Sequence, residues 1–414
     1  MIKNWKIKSI EEIAKTTSGG TPSRTNKSYY SGNIPWVKSG ELNDNYIFDT
    51  EEKINEEAVK YSSAKLFPIG TVLMAMYGAT VGKTAILKVP ATTNQAVCGI
   101  IPNEEECNNE FLRFQLMFKR EDFLKQRYGG AQPNISQTII KTFDILLPPL
   151  PEQRKIVYIL STVQKAIEQQ DKLIRTTTEL KKALMQKLFT EGTKGEKQKQ
   201  TEIGLVPESW EVVELSEVCE KPQYGFTDSA SSKGNAKFLR ITDITEFGVD
   251  WSEVPFCNCP DYSKYELKDG DIVFARIGAT TGKSYLINNP PKSVYASYLI
   301  RVRCKNEILP DFLISYFSSE QYWKQIDASK GNNLKGGVNG SILSKLLIPK
   351  PSLEEQKKIA NTFKAIDAKL ALALNKKQTL SDLFKTLLHE LMTGQRRVHE
   401  IEFENKLNEE AVYG

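Results

Sequence analysis

The sequence predicts an α+β protein built as an internal pseudo-two-fold repeat, with two similar globular blocks separated by two long antiparallel coiled-coil helices. Three observations predict it. Gly70-Thr-Val-Leu-Met-Ala-Met-Tyr-Gly-Ala-Thr-Val-Gly-Lys83 returns two hundred positions later as Gly270-Asp-Ile-Val-Phe-Ala-Arg-Ile-Gly-Ala-Thr-Thr-Gly-Lys283. Leu150-Pro-Glu-Gln-Arg-Lys-Ile156 returns as Leu353-Glu-Glu-Gln-Lys-Lys-Ile359. After each of these second motifs, neither proline nor glycine occurs until Gly192 and Gly394.

The elements follow in order. Residues 1–150 form the first block, in which 71–77 and 85–89 read as strands around the turn 78–82, and 110–125 has helical spacing. Residues 151–192 form the central helix, with Pro151 at its entrance, where proline is tolerated. The polar stretch 193–203 reads as a linker. Residues 204–350 repeat the block, with strands at 271–277 and 284–287 and a helix at 311–325. Residues 351–394 form the distal helix and 395–414 a tail. Steps of four and three along the central helix give Ile156, Leu160, Val163, Ile167, Gln170, Ile174, Thr177, Lys181, Leu184 and Leu188. The distal helix answers in the same register with Ile359, Phe363, Ile366, Leu370, Ala373, Lys377, Leu380, Phe384, Leu387 and Leu391. Seven of ten are apolar in the first set and nine of ten in the second, a heptad seam sustained over about five repeats. A helix of about forty residues spans roughly 60 Å. The first helix leaves the first block and ends at the second. In a two-fold arrangement the second helix runs back, so the two pair antiparallel.

At 414 residues with 40% hydrophobic residues, the chain can bury two cores. A net charge of +5 fits a polyanion partner without demanding one. The six cysteines are scattered and not repeated between the blocks, which argues for reduced thiols and a cytoplasmic setting. No zinc-type spacing and no membrane-length apolar run occurs, so neither a metal site nor a membrane location is expected.

Several motifs imitate catalytic sites. Gly78-Ala-Thr-Val-Gly-Lys-Thr84 and Gly278-Ala-Thr-Thr-Gly-Lys-Ser284 resemble phosphate loops, but three residues separate the glycines where four are required. A strand is expected to follow, so no helix N-terminus would face a phosphate. Asn289-Pro-Pro-Lys292 has lysine where an adenine methyltransferase stacks an aromatic ring, and no cofactor loop accompanies it. Pro260-Asp261 with Glu266-Leu-Lys268 is too cramped for a nuclease core and has no counterpart in the first copy. Both histidines, His389 and His399, lie outside the blocks. The chain therefore reads as non-catalytic.

Six signatures, in order, resemble the specificity subunit of Type I restriction–modification systems along almost the full length. They are Ser18-Gly-Gly-Thr-Pro-Ser-Arg24, Gly32-Asn-Ile-Pro-Trp-Val-Lys-Ser-Gly-Glu-Leu42, Leu147-Pro-Pro-Leu-Pro-Glu-Gln153, Leu184-Met-Gln-Lys-Leu-Phe-Thr-Glu-Gly192, Thr201-Glu-Ile-Gly-Leu-Val-Pro-Glu-Ser-Trp210 and Leu391-Met-Thr-Gly394. The resemblance implies that the blocks are target recognition domains, each reading one half of an interrupted DNA site. It implies that the helices set the spacing and dock two methyltransferase subunits, which restriction subunits would join. S-adenosylmethionine, ATP and Mg2+ are then expected in those partners and not in this chain. The second copy departs from the pattern: Ile348-Pro-Lys-Pro-Ser-Leu-Glu-Glu-Gln356 is one residue longer before its glutamate, so a slightly different helix entrance is expected.

Base reading needs paired donors and acceptors, and phosphate contact needs positive charge or amides. Polar, glycine-bearing loops that differ between copies supply the DNA-binding candidates. In the first domain these are Arg24, Lys38, Tyr77, Lys83, Gln132 and Asn134. In the second they are Arg240, Arg276, Lys283, Lys330, Asn332, Asn333 and Lys335. Trp36-Val-Lys38 aligns with Phe238-Leu-Arg240, a core aromatic followed by an exposed base, and Tyr77 against Arg276–Ile277 marks where the repeated strand diverges. Trp5 and Trp210, at equivalent block entrances, suit core anchoring better than stacking on DNA. Two rivals remain: an enzyme with its own methyltransferase or nuclease centre, and an autonomous DNA-binding or regulatory protein acting without methyltransferase partners.

Overall fold

A computed structural model describes residues 4–125, 134–245, 248–330 and 337–398. It divides into two compact units, 1–169 with 377–414 and 170–376, so each unit takes a globular block, half of the central helix and half of the distal helix.

In the first unit a five-stranded sheet runs in the order Ala14–Ser18, Val97–Pro102, Val72–Ala75, Thr84–Leu87, Asn45–Ile47. All neighbours are antiparallel except the last pair. Val72–Ala75 is buried on both faces, which explains its unbroken apolar run. A three-stranded sheet, Lys53–Ile54, Ile34–Val37 and Thr92–Thr93, completes the block. The second unit repeats this plan. Its four-stranded sheet runs Gln223–Tyr224, Leu299–Val302, Ile272–Ala275, Ser284–Leu286, and its three-stranded sheet runs Phe256–Cys257, Ala236–Leu239, Ser293–Tyr295. In both three-stranded sheets the last pair is parallel.

The expected hairpins are present, each slightly shorter than its apolar run. The single helices expected at 110–125 and 311–325 are each broken in two, Asn109–Phe118 with Arg120–Lys125, and Pro310–Tyr316 with Glu320–Lys330. The break redirects the second piece under the glycine turn. There Arg120 Nε donates to the Gly82 carbonyl at 2.9 Å and the Tyr322 hydroxyl to the Gly282 carbonyl at 2.5 Å. Sequence periodicity cannot show this, because both pieces keep an apolar face. Part of the expected linker 193–203 is also structured: Gln198–Thr201 pairs antiparallel with Gly204–Pro207.

The central helix spans Leu150–Glu191 and the distal helix Leu353–Met392. In the second unit Phe189 stacks on Phe363 (5.9 Å, planes 6° apart) and Lys181 pairs with Asp367 at 2.5 Å, so numbering rises along one helix as it falls along the other. In the first unit Ile156 and Leu160 share a core with Leu387 and Leu391, and Arg397 holds Glu152 with two bonds of 2.8 and 3.0 Å. Pairing is antiparallel in each. Every seam position is buried or half-buried, including Val163, Ile167, Ile174, Leu184, Leu188, Ile366, Leu370, Leu380 and Phe384. Thr177 is buried, and half-buried Lys181 reaches across to exposed Asp367, so the helices stay paired through the polar stretch.

The Glu-Gln signature has a mechanical meaning. Gln153, fully buried, accepts from the Asn108 amide at 2.8 Å and donates to the Glu106 and Pro148 carbonyls at 2.9 and 2.8 Å. Gln356 repeats this with the Leu309 amide (2.8 Å) and the Glu307 and Pro351 carbonyls (3.0 and 2.9 Å). One side-chain amide thus satisfies three buried backbone groups where the helix leaves the block. The preceding glutamate ties down the other helix. Glu152 accepts from the Trp5 indole at 3.0 Å and from Arg397. Glu355 accepts from the Thr193 amide (2.8 Å) and hydroxyl (3.0 Å) and pairs with Lys194 at 3.1 Å. Gly192 and Gly394, with φ of 64° and 66°, end the two helices in the left-handed conformation. A Cβ at Gly192 would lie 2.8 Å from Glu355 Oε1. Trp5 and Trp210 are both buried, as their place at the block entrances suggests.

Burial pushes the Glu355 carboxyl upward, but the Thr193 amide, Lys194 and the Thr193 hydroxyl outweigh it and hold it below the usual carboxylate range. A depressed folded value adds stability that is present above the unfolded carboxylate range and lost as pH falls through the folded value. Glu355→Gln should therefore cost about 1–3 kcal/mol at neutral pH, with the gap closing in acid. Denaturant titrations at several pH values check this, and a gap independent of pH would contradict it.

Candidate nucleic-acid interface

The two hairpin turns are superimposable in their backbone logic. Gly78 and Gly82 (φ 91° and 78°) match Gly278 and Gly282 (φ 80° and 89°). Each is followed by a strand, Thr84–Leu87 or Ser284–Leu286, and not by a helix, so no phosphate cradle of the nucleotide-binding kind forms.

Backbone hydrogen bonds establish which residues correspond. Met76 N–H donates to Ala96 O (2.8 Å) and Met76 O accepts from Ile135 N–H (2.7 Å). Arg276 N–H donates to Tyr298 O (3.1 Å) and Arg276 O accepts from Val338 N–H (3.0 Å). Arg276 therefore stands where Met76 stands, and Ile277 where Tyr77 stands. On the neighbouring strands Ser18 is in register with Cys98 and Tyr224 with Ile300. The next glycines, Gly19 and Gly225, both donate to their partner strands at 3.1 Å. One position in the fold is thus occupied by Ser18, Met76, Tyr77 and Ala96 in the first unit and by Tyr224, Arg276, Ile277 and Tyr298 in the second. The frames agree and the four side chains all differ.

The second-unit cluster is open. Tyr224, Ile277 and Tyr298 are exposed. The Arg276 guanidinium lies over the Tyr224 ring at 4.9 Å, with Nη1 3.4 Å from Ser297 O and Nε buried without a partner. The Tyr224 hydroxyl accepts from the Gly340 amide at 3.0 Å. In the first unit Met76 and Ala96 are buried, Ser18 and Tyr77 are half-buried, and burial raises the Tyr77 phenol.

The remaining candidates fall into three groups. Arg24, Lys38 and Arg240 already hold carboxylates: Arg24 bonds Glu52 at 2.5 Å, Lys38 bonds Glu51 at 2.7 Å and Glu52 at 3.2 Å, and Arg240 clasps Asp243 at 2.6 and 3.0 Å. Arg24 holds the Glu52 carboxyl below the usual carboxylate range. Trp36 and Phe238 are buried, as the aligned motif predicts, but the Lys38 and Arg240 that follow them are half-buried and not exposed, because each is drawn onto its carboxylate. Lys83 and Lys283 follow the glycine turns. Lys83 bonds the Asn43 side chain, and the exposed Lys283 ammonium has no partner among the described residues. Asn134 is exposed. Lys330 ends the helix Glu320–Lys330. Gln132, Asn332, Asn333 and Lys335 lie outside the described residues.

Sequence reasoning missed Tyr298 and the correspondence of Arg276 with a core methionine. The repeat carried that second signal, since Met76 and Arg276 sit at the same step of the duplicated motif. Tyr298 carried none, because the strand alignment that pairs it with Ala96 emerges only from the sheet register.

Comparison with known proteins agrees with this duplicated frame. The model of the Type I restriction modification DNA specificity domain matches twice, over residues 2–176 and 207–382. The chain is 27% identical to the Type I restriction enzyme MjaVIII specificity subunit of Methanocaldococcus jannaschii, over 97% of this chain and 95% of that protein. It is 31% identical to the EcoR124I/EcoR124II specificity subunit of Escherichia coli, over 37% of this chain and 39% of that one. In fold it is similar to the crystal structure of a Type I restriction–modification S subunit from M. genitalium, with a TM-score of 0.67, 15% identity, and coverage of 94% of this chain and 96% of that one. Two matched domains, each carrying the same clamp and a differently furnished surface, place the chain in the Type I restriction–modification DNA specificity family.

Proposed function

We propose that this chain is the non-catalytic DNA-reading subunit of a Type I restriction–modification complex. Each target recognition domain reads one half of an interrupted, asymmetric site. The paired helices set the spacing and dock two methyltransferase subunits, and restriction subunits join for cleavage. S-adenosylmethionine, ATP and Mg2+ belong to those partners. The observation that carries this reading is the pair of matched frames, in which the same backbone carries Ser18 and Tyr77 over buried Met76 and Ala96 in one unit and an open cluster of Tyr224, Arg276, Ile277 and Tyr298 in the other. A duplicated reader of two different half-sites needs a common scaffold with exchanged side chains at the groove. Leu180, Leu372 and Leu383 remain exposed on the helices, apolar surface suited to a partner.

The test is co-expression with a Type I methyltransferase subunit, co-purification, and sequencing of methylated adenines. A two-part asymmetric motif is the expected result. Methylation by this chain alone, or failure to bind the methyltransferase, would overturn the proposal.

Within it, Lys83 and Lys283 contact phosphate, because both copies keep lysine at the same turn while the neighbouring surface differs. Alanine at either position should weaken binding to all sequences alike and reduce the salt slope by about one. A changed methylation motif at undiminished affinity would refute this assignment.

A further inference from the structure

We propose that Arg276 reads a guanine in the half-site of the second domain, at the step where the first domain makes an apolar or hydroxyl contact through Tyr77 and Ser18. This rests on the DNA-reading function proposed above and names the base it would take.

The two copies differ in chemistry at this step. At this backbone position the first copy places Met76, packed into the core of its unit. The second copy places a guanidinium there. Arg276 is half-buried with its Nε enclosed, and enclosing part of a charged group is costly unless it is paired or reaches out to a ligand. Arg276 is not paired: no carboxylate bonds it among the described residues, its Nε is buried without a partner, and its one hydrogen bond to Ser297 O is long, at 3.4 Å. Arg24, Lys38 and Arg240 all hold carboxylates close by, which cancel their charge. Among the described residues Arg276 therefore keeps its full charge and most of its donors unengaged.

Its surroundings also favour a base over a phosphate. The guanidinium lies over the Tyr224 ring at 4.9 Å, and the Tyr224 hydroxyl is itself held by the Gly340 amide. Stacking on an anchored ring restricts the fork to few orientations, which lowers the entropy lost on binding. Exposed Tyr298 and Ile277 flank it with largely apolar surface, against which a base pair could pack. A fixed, planar, two-pronged donor matches the O6 and N7 acceptors that guanine presents in the major groove. In the first unit Met76 and Ala96 offer no donor, so the matched step cannot be read in this way. The two half-sites should differ there.

The experiment uses the complete methyltransferase assembly and maps methylated adenines for the parent, Arg276→Met and Arg276→Lys. Arg276→Met installs the residue of the other copy. The parent motif should contain a guanine in the half-site assigned to the second domain by exchanging that domain. Arg276→Met should relax one guanine position in that half-site, lowering discrimination there by roughly 5- to 150-fold, the worth of one bidentate pair. The other half-site and the gap should not change. Arg276→Lys, which keeps the charge but not the fork, should relax the same position less.

A motif unchanged in Arg276→Met, or uniform weakening with a smaller salt slope, would overturn the assignment. If Arg276→Met fails to fold, Arg276→Lys decides: relaxed guanine preference supports the proposal and an unaltered motif refutes it. A parent complex that recognises no two-part site would instead overturn the functional reading, whereas a two-part motif lacking guanine in the second half-site would overturn this inference alone.

Discussion

Phe189→Ala is expected to destabilise the second unit by about 3–5 kcal/mol, the range for removing a large aromatic from a packed core. Phe189 is 1% exposed and sits near the end of the central helix. Its ring stacks on Phe363 of the distal helix at 5.9 Å and meets Phe312 and Tyr316 of the globular block at 5.7 and 5.4 Å. One side chain therefore joins both helices to the block. Such aromatic pairs add about 0.5–1.5 kcal/mol beyond the area they bury, and three large rings cannot collapse into the space left by a fourth. Leu180→Ala is the control. Leu180 lies on the same helix but is 51% exposed, so its loss should stay within about 0.5 kcal/mol. Denaturant unfolding of the two variants compares them directly. Equal, small losses would show that the helix–block joint is held elsewhere.

Exchanging residues 20–140 for the same span of another specificity subunit should replace one half of the recognised site and leave the other half intact. The old site should be lost altogether. The attachment of the block is written to survive such an exchange. Gln153 grips only backbone groups within the span, the Asn108 amide and the Glu106 carbonyl, so any sequence that keeps the fold can offer them. Trp5, Glu152 and Arg397, which lock the helix ends, lie outside it. So does the ribbon of Lys6–Ser9 with Asp144–Leu147 that closes the block. The span must still supply apolar residues at Phe111 and Phe114, whose rings belong to the shared core. Methylation mapping of the hybrid decides the matter. A change in both half-sites would show that the domains do not read independently.

Much of this architecture was legible in the sequence because its causes are local or periodic. The duplicated glycine motif marks two hairpins, since the turn demands positive φ and the flanking apolar runs demand strands. The heptad seam marks two paired helices, and every seam position is indeed buried or half-buried. Helix-ending Gly192 and Gly394 were legible for the same reason. The broken helices at Lys119 and at 317–319 were not, because both halves keep an apolar face and the break is imposed by the turn they support. Nor was the strand at Gln198–Thr201, whose polar side chains hide a pairing made by the backbone.

The candidate site divides along the same line. By itself the sequence determined that the chain is a two-fold repeat and which residue types could meet DNA. Charge, however, is counted in a sequence but compensated in space. Only the fold set Glu52 between Arg24 and Lys38. It also left Arg276 over Tyr224 with no carboxylate, at the position its twin fills with a buried methionine. Which bases are already engaged, and which remain to engage a partner, depends on contacts between segments far apart in the chain.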